Sequence, residues 1–385
     1  MKLMEYQAKA LFEQFGVPTM RGIVLDEGET ACDAIDKAAL RYPVVVKAQV
    51  QIGGRGKAGG ILFAQNPREA ADHAMRLLGS ELRGLRVDKL LLVEKAGYEA
   101  EWYLSILLDR QSKCPMILFS DRGGVDIEQT AREDPFRIRK LVIDPMTGVQ
   151  DHMARYLLSS LSISLSHTEA LFALLQSLYK AFLAYDFLLL EINPLVLNQE
   201  GKLIALDGKV DIDDSALSRL PDVQRYRDEQ PEEPFVKEAR TFQFLYIPVE
   251  AGGCIAVCSN GSGMLMSCID MISKEGMSVA AALDLGGGAT AARICEAMRI
   301  LFATPGVKAV FINIFGGITR CDEVAGGVRL AMEQGVLGEK LVLIRMEGTN
   351  KEQGVAMIKS LAGNVFLVDG LREGITALVD RRAQL

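Results

Sequence analysis

The feature that most constrains the fold of this chain is a series of short apolar segments in its second half, each followed by a polar or glycine-rich turn. The apolar segments lie at residues 254–258, 278–284, 308–314, 341–346 and 364–368. Helix-length segments separate them, as right-handed βαβ units require. The pattern predicts a doubly wound α/β domain with a parallel sheet, whose functional turns share the edge formed by the carboxyl ends of the strands.

Glycine-rich turns at this edge are candidate anion sites. They are Asn260-Gly-Ser-Gly263, Gly286-Gly-Gly-Ala-Thr290 and Gly316-Gly-Ile-Thr-Arg320. Free backbone N–H groups at a helix start suit a phosphate or a carboxylate. Any single turn could simply cap its helix, but three turns aligned on one sheet edge favour binding.

The first half of the chain predicts a different arrangement. Strands are expected at 42–50 and 61–64 around a glycine loop, at 89–95, and in a hairpin of 102–110 with 114–120. A helical region is expected at about 150–184. Residues 221–240 are charged and contain several prolines, which predicts a linker and the main domain boundary.

The glycine loop, residues 53–60, joins two strands and has no Ser or Thr after Lys57, so it differs from a Walker loop. A glycine hairpin of this kind can close over a triphosphate with its backbone N–H groups, while Lys47 and Arg55 neutralise charge. The alternative is a flexible surface hairpin. The clustering of bases in an otherwise acidic chain favours the phosphate site.

Residues 191–209 suggest a hard-metal site. A predicted antiparallel strand pair brings Glu191, Asn193 and Asp207 to one end of a hairpin. Amide and carboxylate oxygens suit a magnesium ion that takes its other ligands from water and nucleotide phosphates. The alternative for Asn193 is a hydrogen-bonded strand end. Upstream, Glu94 and Glu101 flank a turn and are candidates for the nucleoside hydroxyls or base, or else solvated strand ends.

Composition excludes several classes of function. The formal net charge is −7 and no run of Lys and Arg occurs, which argues against a nucleic-acid partner. The absence of a signal-like or membrane-spanning apolar stretch predicts a cytosolic or matrix protein with no membrane contact. The seven cysteines lack paired spacing and are expected to be reduced. The three histidines are expected outside the glycine turns, so any covalent nucleophile is expected on another chain.

The chain resembles the β-subunit family of succinyl-CoA synthetase, an ADP-forming acid–CoA ligase, along nearly its whole length. The motifs that carry the resemblance, in the family's order, are MEYQAKALFEQFGVP, VVVKAQVQIGGRGKAGG, GGVDIE, EINPL, LDGK, NGSGM, DLGGGAT and INIFGGITRCDEVA. The resemblance implies an ATP-grasp domain at residues 1–230, with a lid subdomain at about 20–110, followed by a flavodoxin-like CoA-ligase domain at 231–385.

The resemblance also implies partners and cofactors. ATP or GTP would phosphorylate a histidine of an α subunit that binds CoA, in an αβ or α₂β₂ complex with Mg²⁺, and the phosphoryl group would pass to a dicarboxylate. The implied site residues are Lys47, Gly54, Arg55, Gly56, Glu94, Gly97 and Glu101 for the nucleotide, Asn193 and Asp207 for magnesium, Glu191 as the catalytic contact of the histidine loop, and Asn260, Gly317, Ile318 and Thr319 for the acid.

The sequence leaves more than one carboxylic acid as a candidate substrate. Succinate is expected, and malate–CoA ligase and citryl-CoA synthetase β-type subunits are alternatives on the same scaffold. Gln51 stands where the family often has a histidine. Arg122 stands where the family often has an acid before Gly-Gly-Val, and an arginine there is similar to the malate type. A non-catalytic regulatory subunit is the alternative from another class. The joint presence of Lys47, Glu191, Asn193 and Asp207 argues against it.

Overall fold

The computed structural model describes residues 1–26, 31–52, 54–229, 232–361 and 363–384. The chain divides into two compact units, unit 1 (Met1–Gln230) and unit 2 (Pro231–Leu385). The first glycine of the predicted glycine loop, residue 53, and the residues on either side of the division, 230 and 231, lie outside the described residues. Among the described residues, no helix has the length and apolar character needed to cross a bilayer.

Unit 1 contains α-helices and strands that build two principal sheets. Its helices are α1 (Glu5–Gln14), α2 (Ala31–Ala38), α3 (Pro67–Leu77), α4 (Ile127–Glu133), α5 (Asp151–Ser160), α6 (Thr168–Ala184) and α7 (Pro221–Glu229). Its strands are β1 (Gly22–Asp26), β2 (Val44–Ala48), β3 (Ile61–Ala64), β4 (Glu81–Leu82), β5 (Leu85–Arg86), β6 (Lys89–Glu94), β7 (Ala100–Asp109), β8 (Cys114–Ser120), β9 (Ile138–Val142), β10 (Phe187–Leu197), β11 (Leu203–Ala205) and β12 (Gly208–Ile212).

The flap sheet of unit 1 has the strand order β1-β6-β2-β3, with antiparallel neighbours throughout. Val44 and Val46 of β2 are fully buried and share an apolar core with Ala70 and Ala74 of α3. The predicted strand–loop–strand at residues 42–64 is confirmed as the β2–β3 pair. In chain order, β6 is the last strand of the flap sheet. The next strand, β7, belongs to the other sheet, although it falls inside the expected lid range of 20–110.

The central sheet of unit 1 has the order β11-β10-β7-β8-β9, with β12 also paired to β10. Helices α5 and α6 cover it through apolar residues at helical spacing, such as Leu171, Leu174 and Leu178 of α6, which are buried. The predicted hairpin of 102–110 with 114–120 is confirmed as β7–β8. The predicted pairing around the turn at 198–201 is also confirmed, because β10 runs antiparallel to β11 and β12.

Unit 2 is a doubly wound domain. Its helices are α8 (Pro234–Thr241), α9 (Ser262–Lys274), α10 (Ala291–Ala303), α11 (Cys321–Glu333), α12 (Lys351–Lys359) and α13 (Leu371–Asp380). Its strands are β13 (Leu245–Pro248), β14 (Ile255–Ser259), β15 (Val279–Asp284), β16 (Ala309–Gly316), β17 (Leu341–Gly348) and β18 (Val365–Leu367).

The sheet of unit 2 has the order β13-β15-β14-β16-β17-β18. From β15 onward the pairs are parallel in the flavodoxin-like 2-1-3-4-5 order, which confirms the expected fold class. Alternate residues of β14 enter separate cores: Ile255 and Val257 pack with α9 and α13, whereas Ala256 and Cys258 pack with α10 and α11. Burial of both faces explains why these strands are continuously apolar in the sequence. The sequence analysis did not predict the antiparallel edge strand β13.

Residues 221–240 contain the division between the two compact units, but the prediction that this segment is an irregular linker was wrong. The described part of this segment forms two helices, α7 and α8, each beginning at a proline. Proline at the first helical position costs little, because its missing N–H has no intrahelical acceptor there. The helices bury few side chains, mainly Val223 and Ala239, so the apolar pattern that would have indicated them is weak.

Candidate functional site

Four charged side chains from distant parts of unit 1 form a compact cluster, here called the charge cluster: Glu5, Lys47, Arg55 and Asp207. The Nζ of Lys47 lies 2.6 Å from Oε1 of Glu5, and Nη2 of Arg55 lies 2.6 Å from Oε2 of Glu5. Arg55 also donates to both carboxylate oxygens of Asp207, at 3.2 and 2.9 Å. Two cations and two carboxylates thus neutralise one another in a largely desolvated place.

The glycine loop delivers Arg55 to this cluster. The N–H of Gly60 donates to the carbonyl of Arg55 at 2.9 Å, which closes the loop between β2 and β3. Gly54 and Gly59 have φ values of 69° and 80°, a backbone region that favours glycine. Nη1 of Arg55 donates to the carbonyl of Ala48, so the guanidinium folds back over the end of β2.

Burial and charge shift the ionisation of the cluster. Burial, and then the negative charge of Glu5, raise the pKa of Asp207 to about 6, although Lys47 and Arg55 oppose the shift. Burial favours the neutral form of Glu5, but the charges of Lys47 and Arg55 outweigh it and lower the pKa of that carboxyl. Burial also disfavours the Arg55 cation, and the two carboxylates nevertheless raise its pKa.

The backbones of the two predicted magnesium ligands, Asn193 and Asp207, lie side by side. The N–H of Asn193 in β10 donates to the carbonyl of Asp207 at 3.4 Å. Their side chains have separate partners: Oδ1 of Asn193 accepts from the N–H of Gly124 at 2.7 Å, and its Nδ2 donates to the carbonyl of Val125. The carboxylate of Asp207 is held by Arg55.

One amide oxygen and one carboxylate are a donor set that suits Mg²⁺. The Asn193 oxygen keeps a second lone pair beyond its bond to Gly124, because an amide oxygen accepts twice. A cation at Asp207 would compete with Arg55 for the same two oxygens. The residues therefore fit the ion chemically, provided that Arg55 changes partner when the ion binds.

Glu191 lies two residues before Asn193 on β10, next to the point where the pairing of β10 with β7 shifts register between Ile192 and Leu195. The hydroxyl of Tyr103 on β7 donates to Oε2 of Glu191 at 3.3 Å. Burial, and then the charge of Glu191, raise the pKa of Tyr103, so this tyrosine stays a neutral donor. Glu191 is only partly buried.

The structure places Glu94 and Glu101 on different sheets, at the end of β6 and the start of β7. Glu94 accepts from the N–H of Arg41 at 3.0 Å. The Glu101 carboxylate lies against Gly124, where an added Cβ would come within 2.5 Å of Oε2. Gly97, in the connection between the strands, is exposed. The two carboxylates flank this connection, as the sequence predicted, without contacting each other.

In unit 2, Asn260 joins the turn that follows β14 to the last residues of β16. Its Nδ2 donates to the carbonyl of Phe315 at 3.0 Å, and the N–H of Phe315 donates to its Oδ1 at 3.1 Å. These strands are adjacent, and their connections leave in opposite directions, which is the topological switch point where doubly wound sheets bind ligands.

The predicted acid-binding residues 317–319 follow directly after β16. Thr319 is buried, and its hydroxyl accepts from the N–H of Gly288 at 3.2 Å and donates to the carbonyl of Gly286 at 3.4 Å. Ile318 beside it is 81% exposed. The hydroxyl of Thr319 therefore joins two of the three predicted anion turns at one edge of the sheet.

Sequence reasoning missed a polar row across the same edge. Asp284, Ser259, Asn313 and Arg345 stand in register on four adjacent strands. Nη1 of Arg345 lies 3.4 Å from Oδ1 of Asn313, and the guanidinium stacks 5.4 Å from the ring centre of Phe315. The available signal was a polar residue near the end of each apolar run.

Glu5 was also missed, although a signal existed. Glu5, Ala8 and Phe12 are spaced as one face of a helix and all three are buried. An acid on an apolar helical face indicates a buried charge that needs a cation.

Gln51 and Arg122, which differ from the residues that the family often has at these positions, are both exposed. The amide of Gln51 donates to the carbonyl of Lys2, and Arg122 lies 3.7 Å from Asp134.

Comparisons with known proteins agree with this architecture. A family model for an ATP-grasp domain matches residues 2–197, and one for a CoA-ligase matches residues 258–369. The succinate–CoA ligase [ADP-forming] subunit β of Syntrophobacter fumaroxidans is 43% identical over 362 residues, which cover 92% of each chain. The succinate–CoA ligase [GDP-forming] subunit β of Thermus thermophilus is 40% identical, with 93% of each chain covered.

A solved structure of an ATP citrate lyase from Methanothrix soehngenii, with citrate and coenzyme A, has a TM-score of 0.79 to this chain. It covers 100% of this chain and 99% of its own, at 18% identity. At that identity the likeness concerns the fold alone. The ATP-grasp and CoA-ligase arrangement expected from the sequence is thus supported by family models and by overall architecture.

Proposed function

The chain belongs to the succinate–CoA ligase β-subunit family, and we propose that it is the nucleotide-binding subunit of an ADP-forming succinate–CoA ligase. The proposed reaction converts ATP, succinate and CoA to ADP, phosphate and succinyl-CoA. A phosphohistidine on a partner α subunit and a succinyl phosphate are the intermediates. The alternative of a regulatory subunit without catalysis is not favoured, because the relatives that match over nearly the whole chain are named as ligase subunits.

The observation that supports this proposal best is the charge cluster. Lys47 and Arg55 are cations held within 2.6 Å of Glu5, on the strand and the glycine loop of the flap sheet. A triphosphate is polyanionic, and two preorganised cations with loop N–H groups suit its oxygens. Asp207, which one of these cations contacts directly, supplies the carboxylate that a nucleotide-bound metal needs.

The residues of unit 1 divide the work of phosphoryl transfer. Lys47 and Arg55 would neutralise the phosphate oxygens, and Asn193 and Asp207 would hold Mg²⁺, which when bound spreads the developing negative charge. Glu191 would receive and orient the histidine of the α subunit by accepting its N–H, as carboxylates orient imidazoles elsewhere. Tyr103 would fix the rotamer of Glu191 through the hydrogen bond described above.

The acid would bind in unit 2. Asn260 and residues 317–319 lie at the switch point, where backbone N–H groups and a hydroxyl suit a carboxylate. A carboxylate is a poor electrophile, and transfer of a phosphoryl group to its oxygen creates a leaving group that the CoA thiol displaces. Because the nucleotide and the acid would bind to different units, the phosphoryl group needs a carrier, which is the role of the α-subunit histidine.

Reconstitution with the α subunit tests the proposal. The complex should convert ATP to ADP over many turnovers only when both CoA and succinate are present. When the acid is omitted, ATP should yield one ADP for each partner histidine that becomes phosphorylated. Parallel assays with malate, citrate and GTP determine the acid and the nucleotide. ATP binding without acid-dependent turnover of any of these acids would contradict the ligase assignment and favour a regulatory subunit.

A further inference from the structure

Glu5 has a place in unit 1 that the reaction scheme above does not use. It lies in the first turn of α1, and only 4% of its side chain is exposed. One carboxylate oxygen lies 2.6 Å from Nζ of Lys47 and the other 2.6 Å from Nη2 of Arg55. A single buried carboxylate therefore contacts both cations that the proposed nucleotide site requires.

Helix capping does not account for this placement. The start of α1 is capped by Gln7 instead, whose Oε1 accepts from the N–H of the N-cap residue Met4 at 2.9 Å. The N–H of Tyr6 donates to the side chain of Gln49, and Gln49 in turn donates to the carbonyl of Lys47. These bonds hold the beginning of α1 against the end of β2, so the position of Glu5 relative to Lys47 is well defined.

The same cations have only a few other partners. Nζ of Lys47 donates to the carbonyl of Leu206 at 2.8 Å, which directly precedes Asp207. Arg55 is shared between Glu5 and Asp207. If a nucleotide-bound metal takes Asp207, Arg55 leaves that carboxylate but keeps Glu5 as a counter-charge. Glu5 can therefore hold Lys47 and Arg55 in place while Arg55 exchanges Asp207 for another partner.

We propose that Glu5 is a positioning residue of the nucleotide site, which orients Lys47 and Arg55 toward the phosphates through its two carboxylate oxygens. The proposal rests on the proposed nucleotide-binding function of unit 1. Loss of its charge would leave a buried ammonium without a counter-ion and would tie Arg55 to Asp207 alone. Both changes weaken nucleotide binding, even though the net charge of the site becomes more positive.

Calorimetric titration of the full chain with Mg·ADP tests this proposal. We expect Glu5→Gln to weaken Mg·ADP binding by about tenfold or more, the usual cost of removing a residue that orients a ligand-contacting group. In the complex with the α subunit, the KM for ATP should rise by a similar factor while the KM for succinate stays unchanged. Glu13→Gln is the matched control, because Glu13 also lies on α1 and pairs with Lys9 at 2.5 Å, but is half exposed.

A double-mutant cycle separates positioning from a merely structural effect. If Glu5 acts partly through Lys47 and partly through Arg55, Glu5→Gln should weaken Mg·ADP binding by a smaller factor in the Lys47→Met background than in the wild-type chain. Additive losses, or unchanged or tighter binding by Glu5→Gln, would overturn the proposal. Glu5→Asp, which keeps the charge with a shorter reach, takes the same place in the cycle if Glu5→Gln does not fold.

The failure of this inference is distinguishable from failure of the proposed function. Wild-type chain that binds Mg·ADP together with a Glu5→Gln variant that binds equally well would refute the role of Glu5 and leave the nucleotide site intact. Wild-type chain that does not bind Mg·ADP would refute both.

Discussion

The charge cluster of unit 1 differs in construction from the sheet edge of unit 2 where β14 and β16 end, here called the switch-point edge. The cluster joins charged side chains that are far apart in the chain, such as Arg55 and Asp207, which are 152 residues apart. The edge joins the carboxyl ends of the parallel strands β14, β15 and β16 and the turns after them, through neutral amide and hydroxyl groups such as those of Asn260 and Thr319. A site made of paired charges must exchange partners when a ligand binds, whereas a site made of turns is already in place.

This difference predicts how the two sites respond to substitution. Removing one member of a buried charge set leaves the others unpaired, which is costly. Removing a neutral hydrogen-bonding group from a turn costs less, about 1–3 kcal/mol when its partner stays buried. The following experiments test that order.

Asp207→Ala is expected to have the largest effect. It removes the carboxylate proposed to bind Mg²⁺, so phosphorylation of the α-subunit histidine by Mg·ATP should fall by roughly 100-fold or more, as when a ligand of a catalytic metal is lost. Phosphohistidine formation in the reconstituted complex is the measurement. Glu200→Ala is the control, because Glu200 pairs with Lys202 at 2.9 Å in the exposed turn of the same hairpin. Normal phosphorylation in Asp207→Ala would contradict the metal assignment.

Arg55→Lys is expected to have the next largest effect. Lysine keeps the charge but has a single nitrogen, so it cannot bond the carbonyl of Ala48 and the carboxylate of Asp207 at once, as Nη1 and Nη2 of Arg55 do. The loop therefore loses geometry rather than charge. We expect the KM for ATP to rise by about 10- to 30-fold, equivalent to one or two charge-assisted hydrogen bonds. Steady-state kinetics at saturating succinate and CoA provide the measurement. An unchanged KM would show that charge alone is sufficient at this position.

Asn260→Ala tests the switch-point edge. The substitution removes both hydrogen bonds between Asn260 and Phe315, and we expect the KM for succinate to rise by about tenfold. The affinity for Mg·ADP, measured by calorimetry, should stay unchanged because unit 1 contains the proposed nucleotide site. A loss of nucleotide affinity in this variant would mean that the two sites are not independent.

Thr319→Val is expected to have the smallest effect of the series. Valine keeps the shape of threonine but lacks the hydroxyl that joins Gly286 and Gly288. A loss of about 1 kcal/mol, or roughly a fivefold increase in the KM for succinate, is expected from one neutral hydrogen-bonding group. Thr319→Ser keeps the hydroxyl and should restore the wild-type KM. If serine fails to do so, the methyl group rather than the hydroxyl determines binding.

Much of unit 2 was predictable because its strands are buried on both faces. β14, β15 and most of β16 carry continuous apolar runs, and the turns after them carry the polar residues. The edge strand β13 was not predicted, since only one of its four residues is buried and its partner β15 lies beyond β14 in sequence. Helices α7 and α8 were mistaken for a linker because their apolar content is low.

In unit 1 the identity of the site residues was easier to predict than their contacts. Lys47, Asn193 and Asp207 stood out because polar groups within or beside apolar strands need partners. The distance between Arg55 and Asp207 could not be predicted, because their pairing depends on how the flap sheet and the β10–β11 hairpin pack. Glu5 was overlooked because a single acid near a helix start has an ordinary explanation in the helix dipole.

The sequence by itself determined the order of the parallel strands of unit 2 and their turns, the glycine loop of unit 1 and the residue types available for phosphate and metal chemistry. Those properties follow from local periodicity and from the conformations that glycine allows. Only the tertiary structure decided that Glu5 contacts both cations and that Arg55 holds the carboxylate of Asp207. The physical reason is that ion pairs have no sequence period: their partners are chosen by packing, and burial determines how strongly each charge depends on the others.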